Sequence, residues 1–456
     1  MPDATFHFPP DFLWGAATAS HQVEGHNTNN QWWAWEQQPG RIAQGQQSGR
    51  ACDWWENAEA DFDRAQAMNL RTLRLSIEWS RVEVAPGKID TSALDRYRQM
   101  LRGLRERGIE PMVTLHHFTD PLWLAESGGW TNPEAIAYFV RYVEQVLGAL
   151  RDYATLWCTI NEPNVYATSG YVLGSFPPGV QDLGTAATVL RHMLRAHASA
   201  YRAIHKIQPE AQVGLTHNLR FFDPARPNRV TGSDPRDRAA AWIQDLWFNQ
   251  TTLAALGGAP LASGGFRRAW WLPPVGFGLA FGMRKTLDWI GLNYYTRDRV
   301  VFDRRAAGTA YGVRCRTEGA EPMDGGYGEV YPEGIVRAIR RLSKLGLPIH
   351  ITANGIPDSD DDQRPRALML HLHQIWRALQ DNYPVMSYYH WTLADNFEWA
   401  EGWTLPFGLI ELDPETQTRR PRPSADLYAA VARGNAITPE LVDAYSPELR
   451  QRLLPG

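Results

Sequence analysis

The chain has 456 residues, 44% hydrophobic and 21% charged, with a formal net charge of −4 and a pI near 6.4. That length and apolar content supply a large core, and the near-neutral charge removes any electrostatic case for nucleic acid or an anionic membrane as partner. No apolar run is long enough to cross a bilayer, and Met1-Pro2-Asp3-Ala4-Thr5-Phe6 lacks the basic start and apolar stretch of a signal peptide, so a cytoplasmic location is expected.

Short apolar runs alternate with amphipathic stretches along the chain. Phe12-Leu13-Trp14 begins the first strand. Asn57–Met68 reads as a helix ended by Asn69, Leu70–Ile77 as a strand, and Ser92–Arg107 as a helix stopped by Gly108. Strand Glu110–Leu115, helix Pro133–Arg151 and strand Leu156–Ile160 follow, then helix Thr188–Gln208 and strand Gln212–Thr216. Helix Arg236–Leu256 precedes strand Trp289–Asn293, and helix Glu333–Leu345, stopped by Gly346, precedes strand Pro348–Thr352. Helix Pro365–Gln380, strand Met386–Thr392 and helix Ser424–Arg433 complete the pattern. Eight strands alternating with helices predict parallel βαβ units closed into a single (β/α)8 TIM barrel with long βα loops, one catalytic domain over 1–456, and a site at the C-terminal strand ends. Gly257–Gly282, which contains Trp270 and Trp271, reads as one such loop.

Cys52, Cys158 and Cys315 are scattered, with no zinc spacing and no disulfide framework, and no metal or cofactor is expected. The acidic run Asp358-Ser359-Asp360-Asp361-Asp362 does not follow a calcium-loop pattern and reads as a solvated turn. The 19 tryptophans suit core packing, with stacking against sugar rings as the functional alternative.

The residues that end the strands are Ser20-His21-Gln22, Arg74 with Glu78-Trp79-Ser80-Arg81, His116-His117-Phe118, Asn161-Glu162-Pro163-Asn164, Asn293-Tyr294-Tyr295, Thr352-Ala353-Asn354-Gly355 and His390-Trp391-Thr392. Amides, imidazoles, a carboxylate, a guanidinium and aromatics at one mouth suit a neutral ligand rich in hydroxyls. A phosphate site would need a Gly-rich turn and basic residues. Glu162, beside Asn161 and backed by Pro163, is the best acid/base candidate. Glycoside cleavage needs a second carboxylate, about 5–5.5 Å away in a retaining enzyme. Strands four and seven are expected on opposite sides of the barrel, so residues there can face each other across the mouth, and at the end of strand seven Ala353 provides no carboxylate.

These residues resemble glycoside hydrolase family 1, the β-glucosidase and β-galactosidase family. Phe12-Leu13-Trp14-Gly15-Ala16-Ala17-Thr18-Ala19-Ser20-His21-Gln22-Val23-Glu24-Gly25 is similar to its N-terminal signature, and Thr159-Ile160-Asn161-Glu162-Pro163 to its acid/base motif. Asp395-Asn396-Phe397-Glu398-Trp399-Ala400-Glu401-Gly402-Trp403, followed by Phe407-Gly408-Leu409, resembles its late sugar-binding motif. The resemblance implies an exo-acting retaining β-glycosidase, foremost a β-glucosidase with β-galactosidase or β-fucosidase activity, acting on a small β-glycoside or oligosaccharide. It implies Glu162 as general acid/base; Gln22, His117 and Asn161 on sugar hydroxyls; Glu398 and Trp399 at the sugar's far edge; Trp391 as stacking platform; and Phe407 near the exocyclic carbon. It also places Asn293 and Tyr295 in support of the nucleophile and Arg74 beside it.

Two positions depart from the family pattern. Gly328 stands where a Trp usually precedes Glu-x-Tyr-Pro, which leaves the leaving-group site wider. Ala353 stands where the family reads Thr-Glu-Asn-Gly, which removes the nucleophile and strongly impairs hydrolysis. An alanine there has two origins: a glutamate replaced to trap a substrate or to build a glycosynthase, or a natural homologue that binds glycosides without cleaving them. A transglycosylase on the same site is the alternative enzyme reading.

Overall fold

The computed structural model describes residues 5–227, 232–257, 283, 285–309 and 311–454. Eight parallel strands close into a barrel: β1 (Leu13–Ala17), β2 (Thr72–Ser76), β3 (Glu110–Thr114), β4 (Leu156–Asn161), β5 (Gln212–Asn218), β6 (Trp289–Asn293), β7 (Ile349–Asn354) and β8 (Val385–Trp391). Ring order follows chain order, and closure is made by β8 on β1, with Tyr388 beside Trp14 and Trp391 beside Ala17. Each strand ends within about two residues of its expected position because a strand covered on both faces is a near-continuous apolar run. The whole of β2, β4, β6 and β7 is buried.

The surrounding helices are α1 (Trp54–Ala67), α2 (Thr91–Glu106), α3 (Ala135–Leu150), α4 (Leu183–Ile207), α5 (Pro235–Asp245), α6 (Thr251–Gly257), α7 (Glu333–Leu342), α8 (Arg364–Gln380) and α9 (Pro423–Gly434). Their ends follow local chemistry. Asp90 accepts from the amides of Ser92 and Ala93 at the start of α2, and Asp182 accepts from Thr185 N at the start of α4. The expected stops Asn69, Gly108 and Gly346 all have positive φ, at 61°, 71° and 69°. The single helix expected over Arg236–Leu256 is instead two, joined by a π-helical turn at Leu246–Gln250. That turn lets Phe248 O accept from Asn164 and Asn249 donate to Arg220 O, contacts a straight helix would not reach.

Three features differ from expectation. Strands Phe221–Pro224, Arg297–Phe302 and Gly312–Cys315 form an extra sheet beyond the ends of β5 and β6. The acidic run is anchored rather than a solvated turn: Asp358 is buried and accepts from the amides of Gln363 and Arg364, and Asp361 accepts from Ser424 N and Oγ, tying α8 to α9. Strands β4 and β7 lie three steps apart around the ring rather than diametrically opposite. The loop expected over Gly257–Gly282, with Trp270 and Trp271, lies outside the described residues beyond Gly257 itself.

Trp14, Trp32, Trp79, Trp130, Trp157 and Trp289 are fully buried, so much of the aromatic content is core. The three cysteines are free, and no helix among the described residues is long and apolar enough to cross a membrane. Inside the barrel the Trp289 ring lies over Gly214, where an added Cβ would meet ring atoms at 2.3–2.5 Å. Gly214→Ala should therefore overpack the interior and lower the unfolding free energy by about 1–3 kcal/mol. Urea unfolding checks this, and an unchanged midpoint would contradict it.

Candidate active site

The C-terminal ends of the strands open into a cavity of about 230 Å3, lined by Glu162, Asn161, His117, Asn293, Tyr295, Trp391, Glu398 and Trp399 among others. Glu162 occupies the left-handed region (φ 46°, ψ 59°) at the junction of β4 and the short helix Pro163–Thr168. Its backbone amide donates to Thr216 O on β5, and its carbonyl accepts from Val165 and Tyr166. A non-glycine residue in that conformation is strained and is held by its surroundings. The carboxylate accepts from Asn293 Nδ2 at 2.5 Å and Asn218 Nδ2 at 3.0 Å. Burial raises its pKa; the two amides and the Arg74 charge oppose that rise.

Behind the cavity lies Arg74, fully buried on β2. It donates to Thr114 Oγ1 (3.1 Å), Thr352 O (3.1 Å) and Asn161 Oδ1 (2.5 Å), which are three neutral acceptors on β3, β7 and β4. Among the described residues no carboxylate lies within ion-pair distance of it. Ala353, also fully buried, follows Thr352 directly and pairs in register with Asn293.

Asn161 passes its own amide to His117 Nε2 at 3.0 Å, which places the proton of that neutral ring on Nδ1, an atom without a partner in the structure. Burial first and the Arg74 charge second keep the His117 pKa well below its ordinary value. On the far wall Gln22 donates to Asn396 Oδ1, Phe397 O and Glu398 Oε2, and its Oε1 is a buried acceptor without a donor. Trp391 Nε1 lies 3.4 Å from the same Glu398 oxygen. Trp399 stacks on His21 and His117 at ring distances of 6.0 Å. Burial pushes the Glu398 carboxyl up to about 8, and the neighbouring Glu162 adds to the rise.

The structure thus brings most of the expected residues to one wall, with four corrections. Asn293, expected to serve the strand-seven side, gives its amide to Glu162 and accepts from Thr352 Oγ1. Phe407 does not reach the cavity; it packs behind Tyr295 and Tyr327 at ring distances of 6.0 and 5.2 Å. Gly328 does not widen the site, since Thr296 atoms would lie 2.5–2.8 Å from any Cβ there, and the adjacent Tyr327 supplies an aromatic wall. Gln22 and Arg74 likewise stand behind the lining rather than in it. Asn218, which holds Glu162, is absent from the expected set, although the strand-end pattern of Asn161 and Asn293 repeats at β5 and points to it.

A closed (β/α)8 barrel with a desolvated acid at the end of β4 and an amide, imidazole and indole wall defines a carbohydrate-active barrel of the glycosidase class. Comparison with known proteins gives the family. The sequence pattern of glycosyl hydrolase family 1 matches residues 4–437. A β-galactosidase of Pyrococcus woesei is 30% identical over 95% of this chain and 98% of its own length, and β-glucosidase A of Thermotoga maritima is 30% identical over 94% and 98%. Among solved structures, a β-glycosidase from Pyrococcus horikoshii matches with TM-score 0.84 and 35% identity over 97% of this chain and 98% of that one. The family 1 β-glucosidase from T. maritima matches with TM-score 0.87 and 29% identity over 95% and 99%. The chain belongs to glycosyl hydrolase family 1 and shares the barrel fold of its β-glycosidase relatives.

Glu398 permits a pH test. Its folded pKa of about 8 lies above its ordinary 4.5, so its contribution to stability is present below about pH 4.5 and is lost as pH rises through 8. Glu398→Gln, which cannot ionise, should therefore gain stability over the parent chain at pH 9 and much less at pH 5. Urea midpoints at the two pH values check this, and an equal difference at both would show that Glu398 is not held neutral.

Proposed function

We propose that the cavity binds the terminal β-D-glycosyl residue of a small β-glycoside, with Glu162 as the proton donor to the leaving oxygen and position 353 as the seat of the retaining nucleophile. His117, Asn161, Glu398 and Trp399 then hold the sugar, with Trp391 beneath it, Asn293 and Tyr295 around the reacting carbon, and Gln22 and Arg74 behind the wall, positioning Glu398 and Asn161. The observation that carries this reading is Arg74. A buried guanidinium with only neutral acceptors is costly, and the residue beside its Thr352 contact is an alanine where a carboxylate would pair with it. The sugar-like ligands of the T. maritima neighbour, isofagomine lactam and glucoimidazole, support a sugar in the equivalent cavity.

Glu162 can protonate a leaving group, but alanine cannot capture the oxocarbenium-like centre, so the chain as it stands is a nucleophile-deficient binder of glycosides with the potential of a glycosynthase. Ala353→Glu should raise kcat on nitrophenyl β-glycosides by at least about 10^4-fold, since loss of a nucleophile costs on that order. A panel of glucoside, galactoside and fucoside then reports the preferred epimer. Tight glycoside binding without turnover by that variant would instead mark a binding protein, and acceptors outcompeting water would mark a transglycosylase.

The space left by the missing carboxyethyl group should admit azide or formate. With an activated β-glycoside, azide is expected to restore part of the rate and give the α-glycosyl azide, identifiable by NMR. No rescue by any small anion would place the nucleophile elsewhere. A carboxylate introduced at 353 should also raise the pKa of Glu162 by like-charge repulsion, seen as an alkaline shift between its titration in the parent chain and in Ala353→Glu.

A further inference from the structure

The rim of the same cavity carries two arginines that the reading above does not use. Arg220 lies two residues beyond Asn218, whose amide holds Glu162, and Arg314 lies on the outer strand Gly312–Cys315; both line the cavity. They share one counter-ion. Arg220 Nε is 2.7 Å and Arg314 Nε 3.4 Å from Asp298 Oδ2. The acid is set back, with its side chain 11% exposed, whereas the arginine side chains are 25% and 37% exposed. Phe222 lies against the Arg314 guanidinium at 5.4 Å.

One carboxylate cannot neutralise two guanidinium groups, and a guanidinium cannot shed its charge near neutral pH. The other acids on the cavity wall, Glu162, Glu398 and Glu401, form no ion pair with either arginine, and no other acceptor meets them among the described residues. The remaining N–H donors of both forks are therefore available at the open end. With the sugar held at the Trp391 and Glu398 wall, a leaving group on the far side of Glu162 extends towards them.

We propose that this rim binds an oxyanion on the leaving group, so that the favoured ligands are β-glycosides of acidic aglycones carrying a carboxylate or a sulfate. The proposal rests on the glycoside reading and names the substrate class of that site. Planar guanidinium forks suit such an oxyanion because they meet two of its oxygens at once.

The test is calorimetric binding to the chain with Ala353 in place, which holds ligands without turning them over. The probes are 4-carboxyphenyl β-D-glucoside and β-D-galactoside with their neutral 4-carbamoylphenyl counterparts. The acid of the preferred sugar should bind about tenfold tighter than its amide. Arg220→Gln and Arg314→Gln, made singly so that Asp298 keeps one partner, should each cut that advantage at least threefold (about half of it on a logarithmic scale). Unchanged affinity for the amide shows that the variants keep their fold and sugar site. Equal affinity for acid and amide in the parent, or an advantage that survives both substitutions, would overturn the proposal while leaving the glycoside reading in place. Failure of all four probes to bind would overturn both.

Discussion

The site is organised around a buried positive charge. Arg74 reaches from β2 to Thr114, Asn161 and Thr352, so one guanidinium spans strands two, three, four and seven of the ring. Its contact with Asn161 orients the amide that fixes the tautomer of His117, and Asn161 directly precedes Glu162. A charge in so dry a place is tolerated only when its donors find acceptors, and here backbone and side-chain oxygens take one bond from each of its three nitrogens, with no counter-ion among the described residues. Four strands of the cavity mouth are thereby tied to one group.

The acids of the site are governed by the opposite problem. Glu162 and Glu398 are largely buried in the cavity wall, and burial drives both towards the neutral form. For Glu162 a raised pKa suits the proton-donor role proposed for it. For Glu398 neutrality turns one oxygen into a donor, which widens the set of hydroxyl arrangements it can meet. The two amides on Glu162, and the contacts of Gln22 and Trp391 with Glu398, temper these effects and aim the groups. Buried carboxyls and indoles line the interior, while two arginines that share the single counter-ion Asp298 stand at the rim.

The barrel was legible because its strands are covered on both faces and read as apolar runs, and because Asn69, Gly108 and Gly346 mark helix ends by a backbone conformation few residues favour. Glu162, His117, Asn161, Trp391 and Glu398 were legible because each lies at a strand end or within a dense motif. The errors share a cause, since a residue's neighbours depend on register and packing that local pattern does not encode. The closeness of Thr296 to Gly328 is a contact across 32 positions, and it makes Tyr327 the wall. The bond from Asn293 to Glu162 joins strands six and four across 131 positions. Asn218 was passed over because strand five was taken to stop at Thr216, two residues before its functional end.

The closure of β8 on β1 bears on the order in which the protein is made. Strand one and Gln22 leave the ribosome early, yet the edge of β1 is paired only when Val385–Trp391 arrives, and Gln22 reaches Asn396, Phe397 and Glu398 across more than 370 positions. The loop bearing those acceptors is pinned in turn by Asp395, which takes two hydrogen bonds from Arg422 at the threshold of α9. A nascent chain therefore carries an open sheet edge, with the cavity wall at Gln22 incomplete, until Val385–Trp391 and Asn396–Glu398 have been made, and it is exposed to premature association until then.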